Sequence, residues 1–213
     1  MPLARYKNLA AERKEAILRA AAHEFAEKGY ERASLNRMIK EAGLSKGTFY
    51  YYFEDKTDLF VTVLRGKLPW EVWLSESGLL DSDDETSFWR CLRALDLCKY
   101  AYLGQYSDIA RLVDTAHDLT ASQFDNASLA DYVAEREAET RRVIEHGRRV
   151  GAVRGDLPLQ LLLNLWAGIA RSLSEWIFKD WDVLSQMERS QRGDIAFETV
   201  QRVIGIAGQE VTA

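Results

Sequence analysis

The chain has 213 residues, a formal net charge of −5, 47% hydrophobic residues, 29% charged residues and three prolines. This composition is typical of a compact helical protein with a well-buried core, and it excludes long disordered or low-complexity segments. The uncharged stretch over residues 157–170 is too short to cross a bilayer, and the charged N-terminus lacks the apolar segment of a secretory signal. We therefore expect a cytoplasmic protein that has no contact with a membrane.

Charge is distributed unevenly along the sequence. Residues 1–53 carry a net charge of +4, and the remainder carries −9. A basic segment beside an acidic remainder indicates that one end meets phosphate groups while the other keeps the protein soluble.

The first third of the chain predicts short helices separated by glycine turns. Apolar residues recur at helical spacing from Ala10 to Lys28, which predicts the first helix. Ser34 and Ser45 are typical N-caps of a second and a third helix, and Gly43 marks the turn between them. A fourth helix is predicted over Lys56 to Lys67, so the pattern is a helix-turn-helix followed by a further helix.

Amphipathic segments predict helices through the rest of the chain, and the sequence has neither an alternating strand pattern nor an internal repeat. The predicted ranges are 86–103, 106–118, 125–150, 157–179 and 194–207. The expected fold class is therefore all-α, with an N-terminal three-helix head over residues 1–53, a connecting helix over 54–67 and a helical body over 68–213.

Residues 43–56, GLSKGTFYYYFEDK, have the chemistry needed to bind duplex DNA. Ser45 and the free amides of the first turn place donors at a helix N-terminus, which suits a phosphate oxygen. Lys46 projects beside them toward a groove, and Gly47 removes a side chain where base edges would crowd. Hydroxyls for phosphates and faces for thymine methyl groups follow on the same helix, at Thr48, Tyr50 and Tyr51.

This stretch resembles the TetR family of one-component transcriptional regulators. The resemblance also includes the Ala-rich first helix, Gly29-Tyr30, Ala42-Gly43 and Lys56, and it covers about the first third of the chain. One departure is Met38-Ile39, where the family usually has Ile followed by a small Ala.

The resemblance implies which residues contact DNA. Together with Arg37, which we add at the front of the second helix, the expected set is Ser34, Arg37, Ser45, Lys46, Gly47, Thr48, Tyr50, Tyr51 and Lys56. Within it we assign Lys46 and Tyr51 to base edges. Phosphates are assigned to Ser34, Thr48, Tyr50 and Lys56. A basic arm with Arg5 and Lys7 is a further candidate for contact with the DNA backbone.

The resemblance further implies a body that binds an effector. Trp and Tyr residues are abundant beyond residue 68, and their polar tips with a few polar neighbours favour a cavity for an apolar or aromatic small molecule. The candidate ligand-binding residues are Trp89, Asp96, Tyr100, Tyr102, Tyr106, Asn164, Trp166 and Arg171.

A homodimer is expected through the last two helices. The helix at 157–178 is apolar on more than one side, so one intramolecular face cannot bury all of it. Two such helices from each subunit would form a four-helix bundle, the usual dimer interface of the TetR family. The candidate interface residues are Leu162, Trp166, Ile169, Leu173, Val200, Val203, Ile204 and Ala207. The alternative is that the second face packs on preceding helices within a monomer.

We interpret the sequence as a ligand-responsive repressor that binds a palindromic operator as a dimer and is released by an apolar or aromatic effector. The alternatives are an activator of the same fold, or a helical protein-binding module without DNA function. No CxxC, HExxH or phosphate-binding glycine loop is present, so we expect no enzyme and no cofactor. His117 with Asp114 and Asp118 has the spacing of a metal site, but such spacing is common by chance, and we expect no metal.

Overall fold

The computed structural model describes residues 4–105, 108–109, 111–112 and 126–206, and these are almost entirely helical. The first six helices are α1 (Ala4–Lys7), α2 (Ala11–Arg32), α3 (Leu35–Glu41), α4 (Lys46–Tyr52), α5 (Lys56–Lys67) and α6 (Trp70–Glu76). The later helices are α7 (Glu85–Gln105), α8 (Ala127–Arg149), α9 (Leu159–Phe178) and α10 (Gln186–Ile204). Within these ranges there is no β-strand, and one isolated bridge joins Val153 and Gly205. The all-α fold class is confirmed.

Side-chain caps hold the starts of the N-terminal helices. The Ser34 side chain accepts a hydrogen bond from the backbone N–H of Arg37, and Asp55 accepts one from the N–H of Asp58 at the start of α5. The turn between α3 and α4 passes through Gly43, whose φ of 64° lies in the left-handed region that favours glycine. These local signals predicted the bounds of α5 to the residue.

The regular helical path of α2 is interrupted at Gly29, where its end was predicted. Gly29 has φ 69° and ψ 167°, which are not helical values, and a short further turn runs to Arg32. After the kink, the Tyr30 ring packs edge-on against Phe60 with centroids 5.3 Å apart. The glycine therefore bends the helix so that the next aromatic residue enters the core.

The chain packs into two compact units, of which the first comprises residues 1–69 and 106–135. Its core contains Phe25, Phe49, Phe53 and Phe60, each at most 1% exposed. Every residue from 57 to 64 in α5 is also buried, and α5 packs along α2. The segment predicted as a connecting helix thus packs as part of the N-terminal core, and the compact unit continues past residue 53 to Pro69.

The second unit comprises residues 70–105 and 136–213, and its core is built by α7, α9 and α10 with the end of α8. Helix α10 begins at Gln186, eight residues before the predicted start at 194, so that prediction was wrong. Ser185 and Glu188 form a capping box there. The first turns of α10 are mainly polar, which is why apolar periodicity did not detect them.

Candidate nucleic-acid interface

Helix α4 presents one face to the core and another to solvent. Phe49 is 1% exposed and Phe53, which follows the helix, is completely buried, so these two rings fix the inner face. Tyr50 and Tyr51 are each 49% exposed. The outer surface brings together most of the predicted DNA contacts, namely Ser45, Lys46, Gly47, Thr48, Tyr50 and Tyr51, all exposed except the half-buried Thr48.

The N-terminus of α4 is held by a pair of hydroxyls. Ser45 Oγ accepts a hydrogen bond from the Thr48 N–H at 3.0 Å, and the two side-chain oxygens of Ser45 and Thr48 lie 2.8 Å apart. This capping fixes both hydroxyls beside the free amides of the first turn, where a helix attracts anions.

Residues 43–47 also have the G-x-S-x-G spacing of a hydrolase nucleophile. In that class the serine lies on a sharp turn between a strand and a helix. Here helix α3 precedes it, and Ser45 Oγ is engaged as the cap of α4. The surroundings of Ser45 are those of a helix cap.

The expected basic arm is the short helix α1, which packs on α4. Tyr6 is buried, with its ring centroid 5.1 Å from that of Phe53. Burial, with a smaller contribution from Glu15, raises the pKa of Tyr6 to about 12. The Arg5 guanidinium lies over the Tyr51 ring, 4.5 Å from its centroid. The arm is therefore anchored beside the exposed face of α4.

A buried acid holds the start of α3, and sequence analysis missed it. Glu24 is 1% exposed, and its Oε1 accepts a hydrogen bond from the Ser34 N–H at 2.9 Å. Its Oε2 lies 3.3 Å from Nε of Arg37, whose side chain is 56% exposed. A signal was present in the sequence, because Glu24 continues the apolar spacing of Ile17 and Ala21 along α2.

The Lys56 side chain forms hydrogen bonds within the protein. Its Nζ donates hydrogen bonds to the carbonyl oxygens of Tyr30 at 2.8 Å and Glu31 at 3.2 Å. These interactions tie the start of α5 to the last turn of α2. Its assignment to a DNA phosphate stays a prediction.

The N-terminal helices match a known family of regulators. Residues 17–63 match the family model described as bacterial regulatory proteins, tetR family. The match includes α3, α4 and most of α2 and α5, so this helix-turn-helix region is of the TetR type.

Proteins similar to this chain include a named repressor. The transcriptional repressor BepR of Brucella suis is 37% identical over 78 residues, which are 36% of this chain and 37% of that protein. That match spans little more than a third of BepR.

Solved structures extend the likeness to nearly the whole fold. FadR from Bacillus subtilis, in complex with stearoyl-CoA, has a TM-score of 0.64 at 17% identity, over 89% of this chain and 98% of that one. SmeT, the repressor of the Stenotrophomonas maltophilia multidrug efflux pump SmeDEF, has a TM-score of 0.65 at 16% identity, over 95% of this chain and 94% of that one. SmeT has also been solved with triclosan. At these identities the likeness shows a shared fold.

The predicted ligand-binding residues of α7 lie in the second unit, where each has its own contacts. Trp89 is 7% exposed and meets the Phe197 ring edge-on at 6.2 Å. The Tyr102 ring packs edge-on against that of Trp73 at 5.2 Å. Asp96 is half-buried and accepts a 2.5 Å hydrogen bond from Lys99.

Charge and burial act together next to Asp96. Burial lowers the pKa of Lys99, but the interactions with Asp96 and Tyr100 together outweigh burial and raise the pKa above its ordinary value. Tyr100, whose pKa is raised by burial, packs against the position of Gly193. A half-buried ion pair therefore lies beside an aromatic ring on α7.

The remaining ligand-binding predictions are not part of this group. Asn164 and Arg171 are exposed on α9, and their assignment to a ligand site stays a prediction. Trp166 is half-buried and packs against the core of the unit. Tyr106 lies outside the described residues.

The predicted dimer residues divide into two groups. Leu162 is completely buried and Ile204 is 1% exposed in the core of their own chain, so assigning them to an interface was wrong. Residues that are half-buried are Trp166, Ile169, Leu173, Val200 and Val203. Ala207 lies outside the described residues. The large apolar side chains exposed on α9 and α10 are instead Leu161, Trp176, Met187 and Ile195.

The described residues contain no membrane span and no metal-binding cluster. Among the described residues, none of the helices combines the length and apolar character of a membrane span. The same residues contain no group of three or more His, Cys, Asp and Glu side chains arranged to hold a metal ion. His117, Asp114 and Asp118 lie outside the described part of the chain.

Proposed function

We propose that this chain is a ligand-responsive repressor that binds a palindromic operator as a homodimer. The observation that carries the proposal is the solvent-facing surface of α4, where a capped helix N-terminus adjoins Lys46, Tyr50 and Tyr51. BepR and SmeT, both described as repressors, support repression over activation.

Helix α4 is the proposed recognition helix. Two such helices, related by the dimer axis, enter successive major grooves, and the half-sites lie about one helical turn apart. Lys46 and Tyr51 read base edges, since both are exposed beside the groove-facing glycine, Gly47. The residues that grip phosphates are Ser34, Arg37, Ser45, Thr48, Tyr50 and Lys56.

The homodimer uses the exposed face of the last two helices. On α9, Leu161 and Trp176 are exposed, and Gly168 between them has open space where a side chain would stand. Ile195 of α10 is 51% exposed. Exposed large apolar side chains suit packing of helices from a second copy.

Trp176 is held in place from the neighbouring helix. The Arg192 side chain donates hydrogen bonds to the carbonyl oxygens of Trp176 at 2.8 Å and of Lys179 at 2.6 Å. Its guanidinium lies 5.3 Å from the centroid of the Trp176 ring. Arg192 of α10 therefore restrains the exposed Trp176 at the end of α9.

The effector is an apolar or aromatic small molecule that binds the second unit. The aromatic residues of α6 and α7, including Trp73 and Tyr102, supply the surface for such a molecule. Solved TetR-fold structures with stearoyl-CoA and with triclosan support this class of ligand. Effector binding lowers the affinity for the operator by changing the spacing of the two recognition helices.

Selection from a pool of random-sequence duplexes tests the function. Wild-type protein is expected to enrich an inverted repeat, and light scattering of the complex is expected to give two chains per duplex. A reporter with the enriched site over its promoter separates repression from activation. If no duplex is enriched, the helical protein-binding module becomes the better interpretation.

A further inference from the structure

We infer that Glu24 is a positioning residue for DNA binding, which holds the guanidinium of Arg37 in the orientation that meets a phosphate. This inference rests on the proposed function and adds to it a buried residue of α2. It is built on the arrangement of Glu24, Ser34 and Arg37 at the junction of α2 and α3.

The Glu24 carboxylate needs its partners because it is buried. A buried carboxylate is costly unless charge and hydrogen bonds compensate it. The Ser34 N–H supplies one hydrogen bond at 2.9 Å, and the Arg37 Nε supplies the opposite charge at 3.3 Å. Moving Arg37 away would leave the charge of Glu24 poorly compensated, so the guanidinium is restrained.

The restraint leaves donors available on the outer side of Arg37. Glu24 faces Nε, and Glu27 Oε2 lies 3.8 Å from Nη2, whereas a guanidinium has five N–H donors. Nη1 can therefore approach a phosphate while Nε keeps its ion pair.

Restraint before binding raises affinity. A long, flexible arginine loses conformational freedom when it grips a phosphate, and a side chain that is already held in place loses less. Glu24 also screens part of the positive charge of Arg37, which by itself would weaken binding. The two effects have opposite signs, which makes the inference testable.

The test compares Glu24→Gln with Glu31→Gln on a duplex that wild-type protein has enriched from the random pool. The glutamine at position 24 keeps an oxygen for the Ser34 N–H and removes only the charge that holds Arg37. Glu31 is exposed on the same helix, so Glu31→Gln is a matched change in charge. Removing a negative charge from the DNA-binding unit is expected to leave binding unchanged or slightly tighter in the control.

Glu24→Gln is instead expected to weaken binding about tenfold, or 1.4 kcal/mol. The slope of log affinity against log salt is expected to fall by about one, as for loss of one phosphate contact. Combined with Arg37→Ala, Glu24→Gln is expected to cause no further loss, since its effect acts through Arg37. A loss that persists in the Arg37→Ala background would instead assign Glu24 a purely structural role and overturn the inference.

Thermal melting shows whether Glu24→Gln folds. If the variant does not fold, the restraint on Arg37 is tested in wild-type protein by hydrogen exchange of the Arg37 Nε–H. The exposed Arg19 of α2 is the reference. Slower exchange at Arg37 supports the inference, and equal exchange overturns it. If wild-type protein enriches no duplex, the proposed function fails and this inference fails with it. If wild-type protein binds and Glu24→Gln binds as tightly as Glu31→Gln, the inference alone fails.

Discussion

Lys56 donates a hydrogen bond from Nζ to the carbonyl oxygen of Tyr30 at 2.8 Å, and the same ammonium lies 4.5 Å from the centroid of the Tyr30 ring. The contact joins the first residue of α5 to the part of α2 that follows the Gly29 kink. The carbonyls of a helix end carry partial negative charge, so a lysine there stabilises the helix end as well as the packing of the two helices. A DNA contact by Lys56 would come in addition to this role.

Lys56→Met is therefore expected to have two effects. Loss of a charge-assisted hydrogen bond is expected to destabilise the protein by about 1–2 kcal/mol. Loss of a phosphate contact is expected to weaken binding to all duplexes about equally and to reduce the salt slope by about one. Urea denaturation measures the first effect, and binding at several salt concentrations measures the second. An unchanged salt slope would limit Lys56 to its role within the fold.

Lys46→Ala is expected to relax sequence preference. Because Lys46 is assigned to base edges, its removal is expected to cost about 1–3 kcal/mol at particular base pairs. Tyr50→Phe removes only a hydroxyl assigned to a phosphate. It is therefore expected to weaken binding to the enriched duplex and to a scrambled duplex by the same factor. Competition between the two duplexes gives, for each variant, the ratio of its affinities for the enriched and the scrambled duplex. The assignment is inverted if Tyr50→Phe is selective and Lys46→Ala is not.

Local sequence signals predicted the N-terminal helices because their ends depend on a few neighbouring residues. Ser34, Ser45 and Asp55 each accept a hydrogen bond from an amide three residues ahead, and such capping is visible in the sequence. The short turn after Gly29 could not be predicted in this way. Tyr30 in that turn packs against Phe60, which is far away in the sequence.

The faces of α9 could not be predicted, because its apolar residues occur on several sides. Leu161 and Leu162 are adjacent, but Leu161 is 43% exposed and Leu162 is completely buried. Only the positions of α7 and α10 decide which of them meets the core. Glu24 shows the same limit, since a charged residue in an apolar stripe does not reveal the partner that compensates it.

The proposed dimer face, which includes Ile195, predicts the effect of a charge on α10. Ile195→Asp is expected to convert the dimer to a monomer and to weaken binding to the palindrome at least tenfold, because a carboxylate would be buried between two copies. Leu97→Asp is the matched control, since Leu97 is 49% exposed on α7. Sedimentation at micromolar concentration measures the mass of each variant. A dimer that tolerates Ile195→Asp would place the interface elsewhere.

His146 is the centre of a buried chain of hydrogen bonds whose direction the structure defines. Ser82 Oγ donates to the carbonyl oxygen of Leu79 at 2.8 Å, so its lone pairs accept from His146 Nε2, also at 2.8 Å. Arg149 Nη2 donates to His146 Nδ1 at 3.1 Å. These contacts require a neutral ring that carries its proton on Nε2.

Two measurements follow for His146. Nitrogen NMR of the imidazole is expected to identify the Nε2–H tautomer. His146→Ala is expected to destabilise the protein by about 2–3 kcal/mol, because the buried Ser82 hydroxyl loses its donor and a cavity forms beside Phe88. His23→Ala is the matched control, since His23 is exposed on α2, and it is expected to cost less than 1 kcal/mol. An Nδ1–H tautomer, or equal losses for the two variants in urea denaturation, would contradict this assignment of the network.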